Sequence, residues 1–259
     1  MIPKYVYHYT SISTLKEIIN SENIRFTRLD LLNDPYEGIH TLECNCDYNS
    51  EIRKVIYCSC WTDCSEESIS MWSVYGNMEG VRIKIKSNMF SRNFYICEYD
   101  VGFVPVSKIN QFEISVIEDI KGNIKEIFGP YKINYVKNVE ETYDNVLRHS
   151  LSNKGTSNEF VMNEIQLYEL GMKKVKHWEY EQEWRYKISP FSMICGSNNV
   201  FEQNISINSP RYIDVPFINP IEEIVLGPKC TDDDYEELKK FLSDKSINIL
   251  PQKSKIVFR

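Results

Sequence analysis

Short runs of aromatic and β-branched residues recur along the chain and predict β-strands. The first run covers residues 5–9, and residues 24–28 alternate between apolar and polar positions. Comparable runs predict strands at 55–61, 80–86, 94–99, 101–106, 131–136, 183–188, 211–216 and 222–227, with two more at the C-terminus. The pattern therefore predicts a sheet built from many short strands.

Four other segments are predicted to be helical, namely residues 11–22, 67–75, 159–177 and 231–243. The third is the longest, because its apolar residues keep helical spacing at Val161, Ile165, Tyr168, Met172 and Val175. Helices and strands in mixed order predict an α+β fold, with a curved or split mixed β-sheet and flanking helices.

Length and charge narrow the class of protein. The chain has 259 residues, and no linker rich in Pro, Gly or Ser divides it, so residues 1–259 are predicted to form a single α+β domain. Its formal net charge of -7 opposes non-specific attraction to a nucleic-acid backbone. The sequence contains no apolar run of about 18 residues and no signal-peptide core. We therefore expect a cytoplasmic protein without a membrane partner.

The ten glycines are spread along the chain, and no two are closer than four positions apart. This spacing excludes a G-x-G-x-x-G dinucleotide turn, and no two glycines are five positions apart as a G-x-x-x-x-G-K phosphate loop requires. Any nucleotide must be held by other contacts.

The eight cysteines are expected to be free thiols in a cytoplasmic chain. Cys44/Cys46 and Cys58/Cys60 form C-x-C pairs, but structural zinc sites usually use C-x-x-C or wider spacing. Cys58 and Cys60 also fit one face of a strand as small apolar residues. No metal is expected.

Four motifs combine rare residue types at short spacing, namely residues 7–10 (YHYT), 33–37 (NDPYE), 68–76 (SISMWSVYG) and 178–185 (WEYEQEWR), and residues 224–228 (IVLGP) form a fifth motif late in the chain. Together they resemble a large, mostly uncharacterised bacterial family of unknown function. This resemblance covers most of the chain and names no reaction.

The opening of the chain is also similar to that of ADP-ribosyltransferases, including the DNA-targeting toxins and the poly-ADP-ribose polymerases. The similarity lies in a strand with His-Tyr-Thr that leads into a helix. It implies a split sheet that binds NAD without a glycine-rich loop, which agrees with the glycine spacing. It also implies that His8 donates a hydrogen bond to a ribose hydroxyl and that Thr10 helps to hold the nicotinamide amide. Alternatively, His8 is a buried, hydrogen-bonded strand residue.

The same resemblance suggests that Glu183 and Glu181 are catalytic. Cleavage of the nicotinamide–ribose bond passes through a cationic ribose that a carboxylate can stabilise. The Glu-x-Glu spacing resembles arginine-modifying transferases, but those enzymes carry Arg where this chain has His8, so the acceptor stays open. The alternative is a solvated, charge-rich junction in which both glutamates pair with Arg185 and Lys187.

Further residues are expected to bind the cofactor. Ser68 and Ser70 resemble the serine motif of the superfamily, although helix capping is the alternative role for at least one of them. Trp72 and Tyr75 are expected to form a stacking wall for nicotinamide or adenine, and the alternative is that they belong to the core. The cationic candidates for the NAD diphosphate are Arg25, Arg28 and Arg185.

The turn at residues 33–37 has two interpretations. Asn and Asp before Pro favour a structural turn, whereas Asn33, Asp34 and Glu37 together are oxygen ligands that a divalent cation accepts. We favour the structural interpretation.

The leading hypothesis is an NAD-dependent ADP-ribosyltransferase or NAD glycohydrolase, acting as a toxin or phage-defence effector. NAD is then a substrate, and the acceptor is an unknown protein or nucleic acid. One alternative is a metal-dependent phosphodiesterase or nuclease that uses His8, Asp34, Glu37 and Glu183. The other is a catalytically inactive nucleotide-sensing or interaction module.

Overall fold

A computed structural model of the chain describes residues 1–39, 53–90, 116–118, 124–143, 147–152, 160–165, 170–189, 193–195 and 210–257. Its strands in chain order are β1 (Tyr5–Thr10), β2 (Asn23–Arg28), β3 (Tyr57–Thr62), β4 (Val81–Lys86), β5 (Val116–Glu118), β6 (Ile124–Lys132), β7 (Asn134–Val136), β8 (Leu147–Ser152), β9 (Phe160–Ile165), β10 (Lys173–Val175), β11 (Glu183–Ser189), β12 (Met193–Cys195), β13 (Tyr212–Pro216), β14 (Glu223–Leu226) and β15 (Gln252–Lys253). The α-helices are α1 (Ile12–Ser21), α2 (Ile69–Gly76) and α3 (Asp232–Asp244).

The largest sheet has the strand order β15-β14-β4-β1-β3-β11-β6-β5, and it branches at β3. Near the C-terminal end of β3, Thr62 pairs with Tyr7 of β1. Nearer its N-terminal end, Cys58 pairs with Thr27 of β2, and β2 continues to β13. An opening therefore lies between β1 and β2 along one edge of β3.

The sheets combine parallel and antiparallel pairs. In the large sheet, β14 and β15 run parallel while β1, β3, β4 and β11 pair antiparallel. A separate parallel pair joins β7 to β10, and β8, β9 and β12 form a third, antiparallel sheet. The expected mixed α+β class is confirmed.

Side chains on one face of the large sheet form the main apolar core. Helix α1 contributes Leu15 and Ile18 to this core, and α3 contributes Leu238 and Leu242. Helix α2 packs elsewhere, with its buried Trp72 against Tyr9 of β1. Because successive residues of a strand point to opposite faces, α2 covers the second face near the end of β1.

Charged residues are buried on this second face. The antiparallel register sets Glu183, Arg185 and Lys187 of β11 opposite Thr62, Cys60 and Cys58 of β3. Paired residues of adjacent strands share a face, and all three charged residues of β11 are at most 2% exposed. The candidate site is built on this row.

The structure confirms the strands predicted at 5–9, 24–28, 55–61, 80–86, 183–188, 211–216 and 222–227 to within two residues, and the helices predicted at 11–22, 67–75 and 231–243. The helix predicted at 159–177 is wrong. Phe160–Ile165 is a strand paired with Leu147–Ser152, and Lys173–Val175 is another strand. The predicted strands at 94–99 and 101–106 lie outside the described residues. None of the helices in the described ranges has the length and apolar run needed to cross a membrane.

Candidate functional site

Five charged side chains meet on the second face of the large sheet. They are Glu37, Lys174, Glu181, Glu183 and Arg185, each at most 4% exposed. We call them the buried ion cluster. Buried charges are unfavourable unless each is paired and hydrogen-bonded, so the contacts within the cluster decide whether it can exist.

Four separate pieces of backbone position the cluster. Glu37 ends a turn in which Asp34 accepts a hydrogen bond from the Tyr36 backbone N–H at 2.9 Å. Lys174 comes from β10, and Glu181 is the last residue of a 3-10 helix, Lys176–Glu181. The next residue, Gln182, has a left-handed φ of 44°, and the chain then enters β11 at Glu183.

Lys174 lies at the centre of the cluster. Its Nζ is 3.1 Å from Glu37 Oε1, 2.7 Å from Glu181 Oε2 and 2.8 Å from Glu183 Oε2. An ammonium group has three N–H donors, and here each has a carboxylate within reach. Lys174 therefore holds the three glutamates together.

Arg185 joins two of the same glutamates from the other side. Its Nη1 is 2.6 Å from Glu37 Oε2 and also donates to the Gly171 carbonyl at 2.5 Å. Its Nε and Nη2 lie 2.7 Å from Glu183 Oε1. Three carboxylates against two cations leave one formal negative charge in excess.

The predicted pair Glu181 and Glu183 occupies two different electrostatic environments. Burial opposes ionisation of Glu183, but Arg185 and Lys174 outweigh it and hold the pKa of that carboxyl well below its usual range. For Glu181, burial dominates over the attraction of Lys174, and the charge of Glu183 adds to it, so the pKa is raised. Glu183 is thus a fixed anion, whereas Glu181 is the carboxyl closer to exchanging a proton.

Two tyrosines complete the polar shell. The Tyr75 hydroxyl donates a hydrogen bond to Glu181 Oε1, and the Tyr135 hydroxyl accepts one from the Glu183 backbone N–H at 2.9 Å. Burial is the main cause that raises the pKa of both phenols. Both are therefore neutral hydrogen-bonding groups.

The thiols beside the cluster are also neutral. Burial raises the pKa of Cys58 to about 11 and that of Cys60 well above its ordinary value. Within the parts of the chain that the structure describes, no group of three or more His, Cys, Asp or Glu side chains could hold a metal ion. The Cys44/Cys46 pair lies outside the described residues.

Two cavities adjoin the cluster. A cleft of about 400 Å³ follows the opening between β1 and β2, and Arg25, Glu37 and Lys174 are among its lining residues. A smaller cavity of about 60 Å³ is lined in part by Glu181 and Glu183. Both cavities share four lining residues, His8, Cys60, Trp61 and Tyr75. These four residues form the wall between the two cavities.

His8 is held in this wall. Its Nδ1 donates a hydrogen bond to the Cys60 carbonyl at 3.0 Å, and its ring lies 5.0 Å from the ring of Trp61. Burial lowers the pKa of His8, so the imidazole is neutral and Nε2 is left as an acceptor. A ribose hydroxyl at Nε2 would donate to His8, which is the reverse of the expected direction.

The three arginines suggested for a diphosphate lie in different places. Arg25 lines the cleft and forms two hydrogen bonds to Asp214, at 2.9 and 3.3 Å. Arg28 is paired with Asp30 at 2.6 Å and lines neither described cavity. Arg185 is fully buried in the ion cluster. Arg25 is therefore the one of the three that faces the cleft.

The remaining predicted site residues also lie in different places, and most of them do not reach the two cavities. Ser68 caps α2 by accepting a hydrogen bond from the Met71 N–H at 3.3 Å, while Ser70 is exposed. Trp72 is fully buried and donates to Glu67, so it belongs to the core. Thr10 is 8% exposed and lines neither described cavity. Tyr75 is the member of this group that reaches the site.

One member of the cluster, Lys174, was missed by sequence reasoning. The turn that carries Glu37 stands out in the sequence, but nothing there points to Lys174 as its partner. The alternative interpretation is right that Glu183 pairs with Arg185. It is wrong about Glu181, which pairs with Lys174, and about solvent, since the junction is buried. Lys187 donates instead to the Leu170 carbonyl at 2.5 Å.

Comparison with known proteins gives one match. No curated protein and no solved structure is similar to the chain. Residues 71–186 match the family model described as "Protein of unknown function (DUF2971)". This segment includes Tyr75 and the cluster residues Lys174, Glu181, Glu183 and Arg185. The match confirms that the chain resembles an uncharacterised family, a domain of unknown function. The matched segment contains most of the candidate site.

Proposed function

We propose that the protein binds NAD in the cleft and cleaves the bond between nicotinamide and ribose, passing the ADP-ribosyl group to water or to a macromolecular acceptor. One observation carries the proposal. His8, near the start of the chain, lines the same cavity as Glu181 and Glu183. A ribose in that cavity would lie between the wall that contains His8 and the carboxylates that can stabilise a ribosyl cation.

The charge of the cluster suits this reaction. When the bond between C1′ and the nicotinamide nitrogen breaks, the electron pair leaves with nicotinamide and the ribose becomes a cation. Preorganised negative charge at that point lowers the barrier. The excess negative charge of the buried ion cluster, beside the small cavity, supplies it.

Glu181 is our candidate for the carboxylate that faces the ribose. Among the described residues, Lys174 contacts its Oε2 and the Tyr75 hydroxyl contacts its Oε1. Glu183 is engaged at both oxygens by cations, Arg185 at Oε1 and Lys174 at Oε2. We therefore assign Glu183 a positioning role, and Glu181 also accepts the proton that the attacking nucleophile releases.

The cleft supplies what a dinucleotide needs in the absence of a glycine loop. Arg25 offers a guanidinium for the diphosphate, and Asp214 keeps that guanidinium in place. The branched sheet beside the cleft agrees with the split sheet that the resemblance to ADP-ribosyltransferases implies. Consumption of NAD would serve the role of a toxin or phage-defence effector.

The test is to incubate the protein with NAD alone, measure free nicotinamide, and measure NAD binding by calorimetry. Glu181→Gln keeps the shape of the side chain and is expected to lower the rate of nicotinamide release by about 100-fold or more while NAD still binds. Glu66→Gln, an exposed glutamate outside both cavities, is the matched control and keeps full activity.

Absence of both NAD binding and nicotinamide release contradicts the proposal. NAD binding without turnover favours the inactive sensing module instead. Nucleic-acid cleavage that depends on Mg²⁺ or Mn²⁺ favours the nuclease hypothesis, in which case Glu181→Gln has no effect on NAD.

A further inference from the structure

Helix α2 carries Tyr75, whose hydroxyl donates a hydrogen bond to Glu181 Oε1. The helix has only eight residues, and isolated helices shorter than about 12–15 residues are marginal in water. Contacts with the rest of the protein must therefore fix its position. One contact is its own cap, in which Ser68 accepts from the Met71 N–H. A second support comes from a segment far away in the sequence.

That segment is residues 252–256, which we call the strap. Its first two residues form β15, the edge strand that pairs parallel with β14. The Ser254 N–H then donates to the Leu226 carbonyl of β14 at 3.0 Å. The strap is thus anchored to the large sheet before it reaches α2.

Glu67 joins the strap to α2. Its Oε1 accepts from the Lys255 N–H at 2.8 Å, and its Oε2 accepts from the Ser254 hydroxyl. The same Oε2 accepts from the indole N–H of Trp72 at 3.0 Å, and Trp72 is the fully buried residue of α2. Hydrogen bonds to a carboxylate are about twice as strong as those between neutral groups. One side chain therefore links two segments that are far apart in the sequence.

Ile256 gives the strap an apolar contact with the same helix. Its side chain packs against the small apolar cluster that contains Trp72. Tyr75 and Tyr180 pack against this cluster as well. Both tyrosines lead to Glu181, because Tyr75 contacts its carboxylate and Tyr180 precedes it in the chain.

We propose that the strap is a positioning element for Glu181. Through Glu67 and Ile256 it holds α2 at the place where the Tyr75 hydroxyl contacts that carboxylate. The role of Glu181 in a reaction rests on the proposed function, whereas the hold of the strap on α2 rests on the contacts alone. The two parts are therefore tested separately.

Hydrogen–deuterium exchange on the full chain, measured without NAD, tests the hold on α2. Glu67→Ala removes the acceptor of all three bonds and leaves the buried indole N–H of Trp72 without this partner. Amide exchange reports local opening, so we expect exchange in residues 69–76 to become about tenfold faster or more, and residues 176–181 to follow. Exchange in α1 is expected not to change. Glu66→Ala, which removes the exposed neighbouring glutamate, is the matched control and alters none of these rates.

Ser254 provides a milder pair of variants. Ser254→Ala removes the hydroxyl that donates to Glu67 and accepts from the Ile256 N–H at 3.0 Å. Exchange in residues 69–76 is expected to become about fivefold faster. Ser254→Thr keeps the hydroxyl and is expected to keep the original rate. This pair decides the question if Glu67→Ala does not fold.

Under the proposed function, the same variants also change the reaction. When α2 moves, the Tyr75 hydroxyl leaves Glu181, so the acid side of the pH–rate profile for nicotinamide release is expected to move to higher pH. Adding Tyr75→Phe to Glu67→Ala is expected to move the profile no further, because the contact is already lost.

Unchanged exchange in residues 69–76 of the folded variants Glu67→Ala and Ser254→Ala overturns the inference. Faster exchange there with an unmoved pH–rate profile also overturns it, because the strap then supports the fold without acting on Glu181. Absence of nicotinamide release by the unmodified protein contradicts the proposed function instead. In that case exchange in residues 176–181 decides whether the strap acts on the segment that ends in Glu181.

Discussion

The Nζ of Lys174 lies 2.8 Å from Oε2 of Glu183, although their strands belong to different sheets. The contact ties the parallel pair of β7 and β10 to the large sheet. Lys174 also contacts Glu37 and Glu181, so one buried cation fixes three segments of chain around the two cavities.

Loss of this cation is expected to destabilise the fold strongly. Lys174→Met keeps the length of the side chain but leaves Glu37, Glu181 and Glu183 buried with Arg185 as their remaining cation. Removing one partner of a buried ion pair costs about 3–5 kcal/mol. Urea unfolding followed by circular dichroism measures the loss in free energy of unfolding.

Two further variants test whether the lost ion pairs of Lys174 cause this destabilisation. Lys176→Met removes a 59% exposed lysine that pairs with Glu179 at 3.7 Å and is expected to change stability by at most about 0.5 kcal/mol. Adding Glu183→Gln to Lys174→Met is expected to cost less than the sum of the two single changes. Strict additivity would mean that the two residues do not interact.

Stability is expected to fall in acid in two steps. Burial lowers the pKa of His8 below its ordinary 6.5, so below that pH the unfolded chain binds a proton that the native chain does not, and stability decreases. Against the effect of burial, Arg185 and Lys174 lower the pKa of Glu183 below 4.5, which causes a further loss as the pH falls through 4.5. The raised pKa of Glu181 works in the opposite direction above pH 4.5, where the native chain holds a proton that the unfolded chain has lost, and it partly offsets the first step.

Denaturant unfolding between about pH 2 and pH 8 measures both steps. His8→Asn keeps an N–H donor for the Cys60 carbonyl and removes the titrating ring, so we expect the upper step to disappear. An unchanged slope between pH 5 and pH 6.5 would show that His8 is not its source.

Ser68, which caps α2, and Ser70, in its first turn, are expected to contribute differently to stability. Ser68→Ala removes the capping acceptor of the Met71 N–H and is expected to cost about 1 kcal/mol in thermal or urea unfolding. The exposed Ser70→Ala is expected to stay within about 0.5 kcal/mol. Weaker NAD binding in Ser70→Ala, with unchanged stability, would instead support the cofactor role suggested by the sequence.

Tyr75 is expected to act as a positioning residue for Glu181. The Tyr75 hydroxyl contacts Glu181 Oε1 and helps to keep that carboxyl ionised. Tyr75→Phe removes this hydroxyl, so the pKa of Glu181 is expected to rise. Under the proposed function, the acid side of the pH–rate profile for nicotinamide release then moves to higher pH. The 43% exposed Tyr36 gives the control Tyr36→Phe, which leaves the profile unchanged. A lower rate at every pH with an unmoved profile would contradict the assignment.

Local patterns identified most of the large sheet and the three α-helices found in the described ranges. The failure at 159–177 has a physical cause. Val161 and Ile165 are four positions apart, and this spacing places two side chains on one face of a strand as well as on one face of a helix. Pairing with the preceding strand, Leu147–Ser152, makes this segment a strand, and the periodicity of residues 159–177 alone contains no signal of that partner.

The site was predicted only in part, because contacts between segments also leave no signal in the local sequence. Glu181, Glu183, Arg185 and Tyr75 lie in short motifs of rare residues, and they do adjoin one another. Lys174 lies in an ordinary basic segment, and its contact with Glu37 depends on how a turn far away in the sequence packs against β10. Whether a charged motif is solvated or buried also depends on that packing.

The origin of the cluster in distant segments has a consequence for the timing of its assembly. Glu37 is made early, and its partners Lys174 and Arg185 emerge only after most of the chain has been synthesised. During that interval Glu37, which is buried in the folded protein, has neither of its counter-ions. A nascent chain or an N-terminal fragment that ends before Lys174 therefore lacks the cluster, which is assembled only when β10 and β11 have been synthesised.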